Sequence, residues 1–146
     1  MKKHNPFVED VEKLYMEASN GNDEAFKFLI GFNNYCHGID DIVDGEVKDS
    51  EGIVAIFFTA AVIFHNNYWI KNSKHLLPVL ILITNDYVDS NNEKEKLRDM
   101  LRFCGNNMIK IVAFIEGGYE LMRQVSPKLN ALSYREHHDE ITLEPR

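Results

Sequence analysis

The strongest constraint on the fold is a single framed segment. Asn20-Gly21-Asn22-Asp23 opens it and Gly45 closes it. Asparagine and aspartate satisfy the free N–H groups at a helix start, and glycine accepts the left-handed backbone that ends one. Between them, Phe28, Leu29, Phe32, Ile39 and Val43 recur at helical spacing and form one apolar face. The pattern predicts a helix from about Asp23 to Asp44. A chain that commits so long a piece to helix must bury its apolar face against other elements.

The remaining elements read the same way. Asn5-Pro6 is a cap and first-turn pair, followed at helical spacing by Phe7, Val11, Leu14, Tyr15 and Ala18. Asp49 or Ser50 caps a third helix expected to reach about Ile70. Ile53 to Phe64 is apolar on almost every face, which implies a central helix, with His65 as a core residue. Ser73 to Pro78 is read as opening a fourth helix that ends near Asn91, with the proline in its first turn. A fifth runs from about Asn92 to Glu116 and is broken or kinked at Gly117-Gly118. Ser126-Pro127 starts a short final piece. The expectation is an all-α protein, a compact up-and-down bundle of four to five main helices with consecutive helices antiparallel. Residues 1–133 form one domain, and 134–146 read as a mobile polar tail.

The 146 residues suit a single core. The net charge of −7 argues against general nucleic-acid binding. No apolar run is long enough to span a membrane, and the first residues lack the apolar stretch of a signal peptide. Cys36 and Cys104 do not make a disulfide scaffold, so a cytoplasmic location is expected. The Phe-rich segments are large for so small a bundle, which predicts a homodimer.

The chemistry lies in Tyr35-Cys36-His37-Gly38-Ile39-Asp40-Asp41-Ile42-Val43-Asp44-Gly45. His37, Asp40, Asp41 and Asp44 fall within roughly 100° of one another on a helix and make one acidic stripe. Like charges one turn apart repel, and acids near a helix C-terminus also oppose its dipole. A hard cation relieves both, and magnesium takes one or two carboxylates together with phosphate oxygens. Near the end of the fourth helix, Asn85, Asp86, Asp89 and Glu93 form a second stripe. In an up-and-down bundle the second and fourth helices run parallel, so both motifs reach the same end, where two facing stripes hold Mg2+ with a diphosphate between them. Arg98 and Arg102, one turn apart on the next helix, and Lys48, in the loop after the first motif, are candidate diphosphate ligands. His37 is a candidate to orient Asp41 from behind. Competing with this are a solvated acidic surface and, for Glu93, a capping box with Ser90.

The first motif resembles the first aspartate-rich motif of squalene and phytoene synthases, with His37 and Gly38 standing where that family carries two arginines. The Asn85 to Glu93 stretch is similar to the second motif of class I terpene synthases, with Asp89 in place of a hydroxyl residue. The resemblance implies an isoprenoid-synthase-like bundle with Asp40 and Asp44 as magnesium ligands, Asp41 as their acidic neighbour, and Asn85, Asp89 and Glu93 as the second ligand set. It implies a Mg2+-dependent prenyl-diphosphate transferase or lyase acting on a small-molecule diphosphate, the organic part shielded by Phe28, Phe32, Phe57, Phe58 and Phe64. An all-α nucleoside triphosphate pyrophosphohydrolase uses similar carboxylate stripes; it would stack a base on Tyr87 or Trp69. A non-catalytic helical interaction protein with a degenerate site is the third reading.

Overall fold

The computed structural model describes residues 6–94 and 103–142. Most of those residues are helical, and no strand occurs among them. Helix α1 is Pro6–Ser19, α2 Asp23–Val43, α3 Ser50–Ile63, α4 Asn67–Ser90 and α5 Asn106–Thr142, preceded by a short 3-10 turn at Phe103–Gly105.

The stop of α1, both ends of α2 and the start of α3 are as expected, while Asn5, the expected cap of α1, lies outside the described residues. The Asn22 side chain accepts hydrogen bonds from the N–H groups of Glu24 and Ala25, and that of Asp49 accepts from Gly52. Helix α2 ends in a Schellman turn: Glu46 N–H donates to the Asp41 carbonyl at 2.9 Å and Gly45 N–H to that of Ile42 at 3.1 Å. Gly45 has φ of 75°, the left-handed conformation this turn requires.

The boundary between α3 and α4 differs from expectation. Helix α3 stops at Ile63, not Ile70, because Asn66 caps a new helix by accepting from Tyr68 N–H at 2.8 Å. Pro78 therefore lies inside α4 and not in its first turn. The chain bends by 90° between α3 and α4, so this pair departs from the antiparallel rule.

Helix α5 is broken at Gly118, with φ of 76° and ψ of −171°. Its two arms fold back on each other. Asn106 Nδ2 donates to Ser133 Oγ at 2.7 Å and Lys110 Nζ to Asn130 Oδ1 at 3.5 Å. Ser126-Pro127 starts no separate piece; Pro127 sits within the second arm. That arm is helical past Tyr134, where a tail was expected to begin, and Arg135 is paired with Asp10 at 2.8 Å. Lys128 pairs with Glu17 at 2.7 Å, so α1 and the second arm run antiparallel.

The core is built by α1, α2, the inner side of α4 and α5. Tyr15, Ala18, Phe28, Phe32, Leu76, Met108 and Val112 are buried there. At its edge is an aromatic cluster in which Phe28 meets Tyr68 at 5.7 Å and Trp69 at 6.0 Å between ring centroids, and Phe64 meets Trp69 edge-on at 4.7 Å. Helix α3 is not central. It rests on α2 through Gly31 and Gly38, where a methyl group added to Gly38 would lie 3.1 Å from two Ile56 carbons. Val54, Phe57, Phe58 and Val62 face outward, and His65 beside them is exposed, not a core residue.

Candidate functional site at the end of helices α2 and α4

Two contacts fix the relative direction of α2 and α4. Phe28, early in α2, packs on Tyr68 and Trp69 at the start of α4. Asp40, late in α2, accepts a 2.7 Å hydrogen bond from the Tyr87 hydroxyl, late in α4. The helices are parallel, and both acidic motifs reach the same end, as the topology predicts.

They do not face each other there. Tyr87 occupies the side of α4 turned to α2. Asn85 and Asp89 are each two residues from it, about 200° around the helix, and so lie on the outer side. Asn85 Nδ2 donates over 3.4 Å to Asp86 Oδ1 and over 3.4 Å to Asp89 Oδ2, a local cluster on one helix. Asn85, Asp89 and Glu93 are exposed; Asp86 is half-buried. Phase along α4 therefore overturns the expected pair of facing stripes: a tyrosine meets the first motif where carboxylates were expected.

On α2, Asp40 and Asp41 are half-buried and Asp44 is exposed. The Asp41 carbonyl is spent in the terminal turn, receiving both Glu46 and Val47 N–H groups. His37 is exposed, and no hydrogen bond joins it to Asp41, so the expected orienting role has no contact behind it. Lys48 is exposed, but its stem doubles back over the turn: a Cβ added at Gly45 would lie 3.5 Å from Lys48 Cε. Arg98 and Arg102 lie outside the described residues. The Ser90 hydroxyl donates back to the Tyr87 carbonyl at 2.6 Å, so in the capping box expected with Glu93 it does not point forward.

Beneath the acidic end lie the two cysteines. Burial pushes the Cys36 thiol up to about 12, helped by nearby Cys104 and Asp40. Burial likewise raises Cys104 to about 11, with Asp86 adding to the effect, and its Sγ–H donates to the Ile83 carbonyl. Burial thus favours the protonated thiol at both positions at neutral pH.

Among the described residues, no three histidine, cysteine, aspartate or glutamate side chains stand close enough together to hold a metal ion. The donors thus do not make a closed protein cage. They do fit a looser requirement: two carboxylates one turn apart, Asp40 and Asp44, for an ion whose other ligands are phosphate and water. Two open surface depressions lie elsewhere. One of about 530 Å³ is lined by Ala61, Val62, His65, Asn66 and Asn67 at the α3–α4 bend, the opposite end of the bundle. The other, about 220 Å³, lies between α1 and the second arm of α5, where Lys13 and Lys128 line it. Of the expected apolar wall, Phe28 and Phe32 are buried in the core and Phe64 is half-buried in the aromatic cluster, whereas Phe57 and Phe58 face outward. Trp69 is likewise taken up by that cluster.

The tie between Tyr87 and Asp40 had no sequence signal of its own. Tyr87 stood inside the second motif, and only the rotation of α4 turned it inward. No protein-family model, curated protein or solved structure matches the chain.

Proposed function

We propose that the acidic end of α2 binds a magnesium–diphosphate group and that the protein acts on a diphosphate-bearing small molecule in the manner of an isoprenoid synthase. The observation carrying this reading is the 2.7 Å hydrogen bond from Tyr87 to Asp40. It links two elements 47 residues apart and holds the first carboxylate of the stripe in place beside Asp44, one turn on. Magnesium requires only one or two such carboxylates when substrate phosphate supplies further oxygens. Asp40 and Asp44 are the proposed ligands, Asp41 adds negative potential, and Lys48 is the proposed phosphate contact. The bound ion would neutralise the diphosphate and make it a better leaving group.

The test is a thermal-shift series with magnesium and pyrophosphate, separately and together, on the parent and on Asp40→Asn/Asp44→Asn. A ligand that binds only the folded state stabilises it by about 2.7 kcal/mol at a hundredfold excess over its dissociation constant. The parent should shift with both components present, and the double variant should not. Prenyl diphosphates and nucleoside triphosphates then separate the synthase reading from a pyrophosphohydrolase. A parent indifferent to every combination sinks both.

One observation favours a second reading, a non-catalytic helical interaction protein. Helices α3 and α4 expose Val54, Phe57, Phe58, Ile70, Leu77 and Ile81 to about half or more of their full area. A flat magnesium–pyrophosphate response would leave that reading standing.

A further inference from the structure

On α4, the exposed apolar residues are not scattered. Ile70, Leu77, Ile81 and Val88 are 54%, 48%, 59% and 54% exposed. At 100° per residue they fall within about 20° of one line along the helix. Lys74 and Thr84, both exposed, fill the gaps, giving steps of four, three, four, three and four from Ile70 to Val88. That is a heptad seam, the spacing by which one helix packs into the holes of another, and the side of α4 that faces its own bundle is a different one. It runs along most of α4, which spans Asn67–Ser90.

The seam is self-complementary when reversed. Turned end for end about its midpoint near Val79, it sets Ile70 against Val88, Leu77 against Ile81, and Lys74 against Thr84 of a second α4. Each layer is a matched pair, two apolar and one polar. The flanking charges agree. The start of α4 carries Lys71 and Lys74, and its end carries Asp89, so reversal places Lys71 within about two residues' rise of Asp89 of the partner subunit. A parallel pairing would stack lysine on lysine and aspartate on aspartate instead.

We infer that a second copy of this chain covers the outer face of α4, as an antiparallel twofold pair. This rests on the seam and not on the magnesium site, so it stands or falls separately. The apolar side chains of the seam, Ile70, Leu77, Ile81 and Val88, are each about half exposed, an elongated patch on the order of 300–400 Å² that falls in the range of the largest, often functional, patches on monomers. A bilayer is the rival occupant, since α3 and α4 as a bent pair are apolar and long enough by composition. Lys74 within the stripe, Asp89 and Glu93 at its end and a net charge of −7 oppose an anionic membrane.

The test is sedimentation equilibrium on the full chain, with circular dichroism as the folding control. The parent should be a dimer at micromolar concentration. Leu77→Glu/Ile81→Glu should raise the dissociation constant roughly 100-fold or more with helicity unchanged, because both side chains are exposed in the single chain. Lys71→Glu or Asp89→Lys alone should weaken the dimer by about two- to fivefold, and the two together should recover most of the loss. That recovery is specific to the antiparallel register. A parent that stays monomeric at 100 μM overturns the inference. So does a dimer indifferent to the α4 substitutions, or a monomer that sediments with phosphatidylcholine–phosphatidylglycerol vesicles.

Discussion

Helices α2 and α3 lie against each other and make opposite use of apolar residues. Helix α3 is apolar on nearly every face, yet buries only Ile63 fully. Helix α2 has asparagines, aspartates and a lysine among its apolar residues, yet buries Ala25, Phe28, Leu29 and Phe32. The difference is direction. Apolar residues concentrated on one side of α2 give it a single orientation in which the core is closed and the polar groups stay wet. An all-round apolar helix gains nearly as much whichever way it turns, so its place is set by its neighbours. Here two glycines on α2 let α3 settle on the outside. Hydrophobic content measures how much surface wants cover; its distribution decides which surface receives it.

The largest effect should come from cutting the aromatic centre of the directed region and comparing it with the undirected one. Phe28→Ala removes a ring that is 1% exposed and touches Phe32, Tyr68 and Trp69, and should cost about 3–5 kcal/mol in urea unfolding. Phe58→Ala removes an equally large ring that is 70% exposed, and in dilute protein should change stability by about 0.5 kcal/mol or less. Equal losses would mean that α3 is buried in solution and would break the contrast.

A smaller effect tests the seat of α3. Gly38→Leu must push Ile56 away, because the new Cβ alone would lie 3.1 Å from two Ile56 carbons, and should cost about 1–3 kcal/mol. The loss should appear first as faster amide exchange in α3 than in α2, because only α3 is displaced. Uniform acceleration across both helices would show that α3 is integral to the cooperative core.

The smallest effect concerns pH. Cys36 and Cys104 both have thiols raised by burial, to about 12 and about 11. Below the unfolded thiol value, near 8.5, both states hold the proton and stability is flat with pH. Above it the unfolded chain gives up the proton while the folded one keeps it, so stability falls as pH rises toward the folded values. The expected loss by pH 9 is about 1 kcal/mol for each thiol. Cys36→Ala, compared with its own value at pH 7, should flatten part of that slope. A slope unchanged by the substitution would place the alkaline loss on other groups, Tyr68 first, whose hydroxyl is also raised by burial beside Glu116.

The sequence by itself determined the helical class, the ends of α2, the cap of α3 and the break at Gly118. It also determined that the Asp40 and Asn85 motifs share one end. These follow from capping groups, glycine conformations and apolar spacing, each of which acts within a few residues of chain. Only the tertiary structure decided which side of α4 meets α2. That rotation puts Tyr87 against Asp40 and turns Asn85 and Asp89 outward, so the two acidic stripes sit at one end without facing each other. It also decided that α3 lies outside, and that a short Asn66 cap ends the long apolar run where no glycine or proline marks the break. The physical reason is common to all three. Helix formation is local, whereas rotation about the helix axis and depth in the bundle are set by partners dozens of residues away, and a run that is apolar on every side names none of them.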